Sequence, residues 1–368
     1  LRPPPLTPLF PYTTLFRSVN PYQNETFWEI RDSESIVWDL TRESRLPQSD
    51  NIEMNGQQVA GIIHYSIDEN RQLSLERHII FPQLRVHIPV DGSNWLKYRA
   101  YLKRDYGDEL LPVIVTGDRT LQPGPVDSVM INGMLNVFHA PEGGVSTKRT
   151  LLPSMTERLF TEIWEITNIR DSAIQLEFGH TRLVQYQRGL YGNYKRTVSS
   201  DARDEVILQP GKSYSFGIYF AAYLDDEPEI NLDGEIILAA RKEFLDSIKK
   251  RLILQTPDPI LNTLFYFSKI RAAESIYSTS MGLVHSPGGG RYYTGVWAND
   301  QAEYSGPFFP YLGYEAGNVA ALNAYRVFLD HLPEGDGHFW SSFEMNGELT
   351  CCGADRGDAA MIAFGAAH

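Results

Sequence analysis

Cysteine is nearly absent from this chain of 368 residues, since its only two cysteines, Cys351 and Cys352, are adjacent. Two neighbouring cysteines exclude a framework of disulfide bonds and a four-cysteine zinc site. A nucleophilic role for either thiol would need a histidine beside it, which the sequence does not show. The fold therefore has to rest on a hydrophobic core.

Long apolar runs and an excess of positive charge are also missing. No run approaches the ~20 apolar residues of a membrane-spanning helix, so we expect no membrane partner. The chain has 33 Lys and Arg against 46 Asp and Glu, a net charge of −13. Such a surface repels phosphate backbones, so nucleic acid is not an expected partner. The 20 Tyr and 18 Phe favour a sheet-rich region or a sugar-binding cleft.

Signatures of bound cofactors and metals are lacking as well. Three glycines at 288–290 have no P-loop lysine after them, and no GxGxxG follows a strand pattern. His285 and His338 have no partner at metal-ligand spacing, and no acidic calcium loop is present. We therefore expect no cofactor and no metal.

The first eighteen residues do not read as part of a folded protein. Five prolines within 3–11 break any apolar stretch, which excludes a secretory signal. LFPYTTLFRS, residues 9–18, resembles a translated sequencing adapter, so we expect residues 1–18 to be an assembly artefact of metagenomic reads; the alternative is a disordered tail. In that case we expect the chain to end at a break in a longer gene. Localisation stays open, with secretion or a periplasmic location expected if the substrate is an external glycan.

Residues 19–235 alternate between apolar and polar side chains with a period of two. Clear examples are AIQLEFGH (173–180), QQVAGIIHYSID (57–68) and SYSFGIYFAAYL (213–224). Turn signals with Asn, Asp or Gly separate these runs. Many short strands without intervening helices predict a large antiparallel β-sandwich with two twisted sheets, a supersandwich.

After about residue 235 the period becomes helical. Residues 236–255 predict a linker helix, and residues 256–368 predict an all-helical domain with four helices, near 256–277, from 300 or 301, 315–332 and from 355. On the third of these helices, Leu322, Tyr325, Phe328, Leu329 and Leu332 are expected to point inward. Two long connections, 278–299 and 333–354, are left between helices, and long loops in a compact domain are usually functional.

The first connection and the start of the next helix concentrate aromatic residues beside carboxylates. Sugar rings stack on aromatic faces, sugar hydroxyls bind carboxylates and Arg, and acid–base hydrolysis of glycosides uses carboxyl groups. Asp300 also suits a helix N-cap, a role compatible with catalysis. The candidates are Asp300 and Glu303 for catalysis, and Arg291, Tyr292, Tyr293, Trp297 and Tyr304 for substrate binding.

The second connection adds Trp340 and Glu344 as candidate substrate-binding residues. The stretch 334–361, which overlaps this connection and includes the start of the next helix, also carries His338, Glu348, Asp355 and Asp358. Solvated loop side chains are an equally good interpretation of each one taken singly.

A sandwich followed by helices, with GVWANDQAEYSGPFFPYLG (295–313) leading into ALNAYRVFL (321–329), resembles the six-hairpin (α/α)6-barrel glycosidase superfamily. In several members a W-x-x-D or W-D-x-E stretch at the start of a barrel helix supplies the general acid or a sugar-gripping carboxylate. The resemblance places Trp297 on the Trp and Asp300 on the Asp. Glu303 matches the second carboxylate loosely, because its spacing from Asp300 is three.

The resemblance also implies twelve helices in a closed barrel, of which this chain supplies four. Inverting glycosidases need two carboxyl groups about 6.5–9.5 Å apart. In the superfamily the second usually lies later in the barrel, so we expect it beyond His368 and expect this chain alone to be inactive.

These observations favour an inverting glycoside hydrolase acting on an oligo- or polysaccharide. Two alternatives stay open: a disaccharide phosphorylase and a non-catalytic carbohydrate-binding protein. Residues 256–368 contain five Lys and Arg against twelve Asp and Glu, a balance that disfavours a phosphate pocket. The sugar, the linkage and the oligomeric state are not encoded in any motif that we can read.

Overall fold

The alternating N-terminal region folds into a nine-stranded antiparallel sheet in a computed structural model of the chain. The structure describes residues 28–43, 45–87, 99–288, 294–332, 340–347, 350–351 and 356–367. The predictions for residues 1–18 and for Arg291, Tyr292 and Tyr293 lie outside these ranges. In sheet order the strands are β1 (Trp28–Arg31), β2 (Ser35–Asp39), β9 (Val126–Ile131), β10 (Leu135–Glu142), β11 (Val145–Pro153), β12 (Leu159–Asn168), β17 (Ser213–Leu224), β15 (Gly192–Ser200) and β14 (Arg182–Gly189).

Two four-stranded antiparallel sheets share one hydrophobic core with the nine-stranded sheet. The expected β-sandwich is therefore present, with its second layer divided in two. One sheet consists of β3 (Gln48–Asn55), β4 (Ala60–Ile67), β5 (Leu73–Arg85) and β6 (Tyr101–Tyr106). The other, in sheet order, consists of β16 (Glu205–Leu208), β13 (Ile174–Phe178), β7 (Ile114–Thr116) and β8 (Arg119–Leu121).

Large aromatic side chains fill the space between these layers. Trp38, Trp164, Phe160 and Phe220 are each at most 2% exposed. Burying one such side chain stabilises the fold by about 1.5–3 kcal/mol. Gly61 on β4 makes room for one of them, because a Cβ there would lie 2.2 Å from the ring of Phe160.

A charged cluster lies within this apolar core. The carboxylate of Glu162 on β12 accepts hydrogen bonds from Arg77 Nε at 2.7 Å and Arg149 Nε at 2.6 Å. All three side chains are 0–3% exposed, and Asp108 makes a further ion pair with Arg77 at 3.2 Å. The two arginines offset the cost of burying the carboxylate, so the cluster ties three strands and both layers together.

Residues after the sandwich form two helices with well-defined starts. They are α1 (Gly234–Lys249) and α2 (Pro259–Glu274). Asp233 accepts hydrogen bonds from the first amides of α1, and Asp258 does the same for α2, which has Pro259 at its first position. The two helices are joined by a buried ion pair between Arg241 and Glu274.

Three more helices and a π-helical turn at Asp300–Ser305 follow. The helices are α3 (Gly306–Leu312), α4 (Glu315–Asp330) and α5 (Arg356–Ala367). Their positions agree with the helices expected from about 300, 315 and 355. Among the described residues, the structure has no helix with the length and apolar character needed to cross a membrane.

The expectation of an all-helical C-terminal part is wrong. Both connections carry short antiparallel strands, which are β18 (Ile276–Thr279), β19 (Gly282–His285), β20 (Gly295–Trp297), β21 (Ser342–Glu344) and β22 (Thr350–Cys351). These strands have only two to four residues, too few to show an alternating pattern. The partners β20 and β21 are also far apart in sequence, so no hairpin signal links them.

The inward face expected for α4 is also largely wrong. Phe328 is buried, but Leu322 is 63% exposed and Leu329 is 54% exposed. The buried residues of the helix are mostly small: Gly317, Ala320, Ala321, Ala324, Val327 and Phe328. Small residues allow close packing, as where Gly317 lies against the ring of Phe309 on α3. Of the residues expected to point inward, Leu322, Leu329 and Leu332 therefore face outward, Tyr325 is partly buried, and Phe328 is buried.

The outer face of the β3–β6 sheet joins the sandwich to the helical part. Ile62, Ile80 and Tyr101 on this face form one buried cluster with Val296 on β20 and Phe343 on β21. This explains why β4 is buried along most of its length, since both of its faces are covered. The interface brings the sandwich directly against the strands that precede the candidate site.

Candidate active site

The strand β20 ends three residues before the candidate acid, Asp300. It pairs with β21 so that Gly295 lies opposite Glu344 and Trp297 opposite Ser342. The amide of Ala298 donates to the carbonyl of Ser341 at 2.9 Å, which continues the pairing one residue further. The backbone is thus fixed up to two residues before Asp300.

Asp300 opens the π-helical turn. Its amide donates to the side chain of Asn299 at 2.9 Å, so the N-cap expected of Asp300 is taken by its neighbour. A π-helical turn is rare and is often found at functional sites.

The electrostatics around Asp300 favour its protonated form. Burial of the side chain, and then the negative charges of Asp358 and Glu303, raise the pKa of Asp300 above its ordinary value. A carboxyl group whose pKa is raised holds a proton nearer to neutral pH, as a general acid must.

Asp358 is the second carboxylate that the structure brings to Asp300. It lies in the first turn of α5, the helix that packs against the π-helical turn. The second connection had suggested Asp358 only as one of several acidic residues. Its distance from Asp300 in sequence explains why no motif could link the two.

Glu303 and Tyr304 lie one turn after Asp300 and are exposed, Tyr304 by 60%. Glu303 borders an open groove of about 1140 Å³ between the exposed faces of α3, α4 and α5. Three aromatic side chains, Tyr311, Tyr325 and Phe364, also border this groove. Such a combination suits a sugar ring. Of the site residues expected from the sequence, Glu303 borders this groove, whereas Asp300, Trp297, Tyr304 and Trp340 are not among its lining residues.

Trp297 and Trp340 are half-buried, and the structure places them on the two connections that meet through β20 and β21. The substrate-binding roles of both residues stay predictions.

Glu344 has a different environment from the one expected. Its side chain is 0% exposed, and its carboxylate accepts a hydrogen bond from Arg85 at 2.9 Å. The hydroxyl of Tyr101 lies 3.2 Å from the same carboxylate and shares its one proton between it and the carbonyl of Thr294. Both partners belong to the sandwich. No local pattern indicates Arg85 or Tyr101, because they precede Glu344 by more than 240 residues.

His285, at the end of β19, contacts the π-helical turn that begins at Asp300. It is 7% exposed, and burial lowers its pKa to about 4, so the ring is neutral at physiological pH. Its carbonyl accepts a hydrogen bond from Gln301 at 3.2 Å, which ties β19 to the π-helical turn. Across the part of the chain that the structure describes, no three His, Cys, Asp or Glu side chains converge as a metal site.

No protein-family model and no curated protein sequence matches this chain. Its fold is nevertheless similar to that of solved structures, among them a protein described as a kojibiose phosphorylase from human microbiome. That match has a TM-score of 0.55 with 9% sequence identity, and it covers 89% of this chain and 54% of the other. The chain thus spans about half the length of its structural neighbour. At this identity the likeness shows the fold, a large β-sandwich followed by helices.

Proposed function

We propose that this chain is the acid-bearing part of a carbohydrate-active enzyme of the six-hairpin (α/α)6-barrel type. In this proposal residues 19–235 are the sandwich domain, 236–255 the linker helix, and 256–368 the first third of the barrel. The observation that carries the proposal is the position of Asp300: burial and two neighbouring carboxylates raise its pKa, and the π-helical turn that it opens borders an aromatic-lined groove through Ala302 and Glu303.

Asp300 acts as general acid in the proposed reaction. It donates its proton to the oxygen that leaves as the glycosidic C–O bond breaks, and a nucleophile attacks the anomeric carbon from the opposite face. Burial of the side chain, and then the negative charges of Asp358 and Glu303, raise the pKa of Asp300 and so favour the protonated form that this role needs. Glu303 is the weaker catalytic candidate, because it is exposed at the rim of the groove.

Several aromatic and basic side chains complete the proposed sugar site. Trp297, Tyr304 and Trp340, together with Arg291, Tyr292 and Tyr293, are proposed to contact the sugar. A contact between Glu344 and the sugar stays a prediction from the sequence, and the buried pairing with Arg85 gives it no support.

Hydrolysis by inversion requires a second carboxylate to activate water, which the proposal places outside residues 256–368. Phosphorolysis is the second candidate, because phosphate is itself the nucleophile and the protein then needs only the acid. The description of the structural neighbour favours this second reaction. The acidic composition of residues 256–368 favours the first.

The test uses the full-length gene product and a panel of disaccharides, with and without inorganic phosphate. Free sugars without phosphate indicate hydrolysis, whereas a sugar 1-phosphate indicates phosphorolysis. We expect Asp300→Asn to lower turnover by about 10²–10⁴-fold. Asp330→Asn, at the exposed end of α4, is the matched control and should leave the rate unchanged. Sugar binding by calorimetry without any turnover would instead support a non-catalytic binding protein and refute the enzymatic proposal.

A further inference from the structure

The sandwich contacts the chain segment that leads to Asp300 through two buried side chains. Tyr101, at the start of β6, donates from its hydroxyl to the carbonyl of Thr294 at 2.8 Å. Arg85, at the end of β5, pairs with Glu344 at 2.9 Å, and its guanidinium lies 5.4 Å from the centre of the Tyr101 ring. All of these residues are at most 3% exposed.

These contacts act at both strands that support the site. Thr294 directly precedes β20, and Glu344 lies opposite Gly295 on β21. The amide of Gly295 also donates to the buried side chain of Ser286 at 3.0 Å. The backbone between Thr294 and Asp300 is therefore held from one end by the sandwich and along its length by β21.

We propose that Tyr101 and Arg85 are positioning residues for Asp300, so that the sandwich sets the position of the π-helical turn that Asp300 opens. The inference rests on the proposed function in naming Asp300 as the acid, while the anchoring itself is a physical property of the chain. The hydroxyl of Tyr101 fixes the carbonyl of Thr294, and the ion pair of Arg85 fixes β21. Loss of either contact frees β20 to move and exposes the half-buried Asp300 further to water.

The contacts of Tyr101 and Arg85 hold the segment firmly because they are buried. A hydrogen bond or ion pair that is shielded from water is not replaced by solvent when one partner is removed, so the remaining partner stays unsatisfied. Opening of the segment from Thr294 to Asp300 lets water reach this unsatisfied partner, so the free energy of opening falls. Because burial is the first cause of the raised pKa of Asp300, opening moves that pKa back toward its ordinary value.

The test compares Tyr101→Phe with Tyr65→Phe in the chain described here. Both substitutions remove one hydroxyl from a tyrosine of the sandwich that is at most 3% exposed, but the Tyr65 hydroxyl has no hydrogen-bond partner in the described part of the chain. Hydrogen exchange of the amides from 295 to 305 is followed by mass spectrometry. The titration of Asp300 is followed by carbon NMR of labelled aspartate.

We expect Tyr101→Phe to speed exchange in this segment by about fivefold, the effect of one lost hydrogen bond, and to lower the pKa of Asp300. Tyr65→Phe should change neither. Equal exchange and equal titration in the two variants would overturn the proposal. Glu344→Gln, which weakens the pair with Arg85, is the second variant and should act in the same direction as Tyr101→Phe.

The outcomes separate this inference from the proposed function. If Asp300→Asn leaves glycoside turnover intact while Tyr101→Phe still loosens the segment, the catalytic assignment fails and the anchoring stands. If Asp300→Asn abolishes turnover and Tyr101→Phe loosens nothing, the acid stands and the positioning role is refuted.

Discussion

Glu162→Gln removes the negative charge that two buried arginines share. Burial alone would raise the pKa of Glu162, but the charges of Arg149 and Arg77 and their hydrogen bonds lower it from 4.5 to about 2. At ~1.4 kcal/mol per pKa unit, the ionised carboxylate contributes about 3 kcal/mol to the free energy of unfolding. This agrees with the cost of about 3–5 kcal/mol for breaking a buried ion pair.

The pH dependence follows from the direction of this shift. Because the folded pKa of Glu162 is lowered, its contribution is complete above pH 4.5 and is lost as the pH falls toward 2. Urea unfolding should therefore show Glu162→Gln to be less stable than wild type by about 3 kcal/mol at pH 7, and by less at pH 3.

Glu165→Gln on the same strand is the control, because Glu165 is only half-buried. It should change stability by less than about 0.5 kcal/mol. If Glu162→Gln were as stable as wild type at pH 7, or if its deficit were the same at pH 3, the argument for the charged cluster would fail.

Three further predictions concern the fold. Burial lowers the pKa of His139 to about 4, so the protein should lose stability as the pH falls from 6.5 to 4, and the loss should be smaller in His139→Gln. Asp258→Ala removes the N-cap of α2 and should lower the free energy of unfolding by about 1 kcal/mol, measured by urea denaturation. Gly61→Ala places a methyl group against the ring of Phe160 and should cost about 1–3 kcal/mol in the same assay; an unchanged midpoint would show that the ring moves freely.

The sandwich could be predicted from the sequence because each strand carries its own evidence. In β13, Ile174, Leu176 and Phe178 are buried while Gln175 and Glu177 are exposed, as the alternation indicates. The buried charges could not be predicted in the same way. Arg77 and Glu162 are 85 residues apart, and a charged residue in a strand normally indicates a solvent-facing position.

The helices were predictable in position but less so in orientation. Polar N-caps and early prolines mark where a helix begins, as Asp258 and Pro259 do for α2. The face that a helix buries depends on what packs against it. On α4 the small residues Ala320 and Ala324 are buried, while Leu322 is exposed, which the hydrophobic period alone does not reveal.

In the candidate site, too, residues close together in sequence could be predicted, whereas contacts between distant parts of the chain could not. Trp297, Asp300 and Glu303 stand close together in sequence, so their types and spacing could be recognised. Asp358 joins Asp300 only through the packing of α5 on the π-helical turn. The environment of Glu344 depends on partners in the sandwich, which no pattern around Glu344 indicates.

The most direct test of the central claim is the titration of Asp300 by carbon NMR, in the presence and absence of sugar. We predict a pKa above the ordinary value of 3.8, a lower pKa in Asp358→Asn, and a shift of the Asp300 carboxyl resonance when a disaccharide binds. A titration at 3.8 that neither Asp358→Asn nor any sugar alters would contradict the assignment of Asp300 as the acid of a carbohydrate-active site.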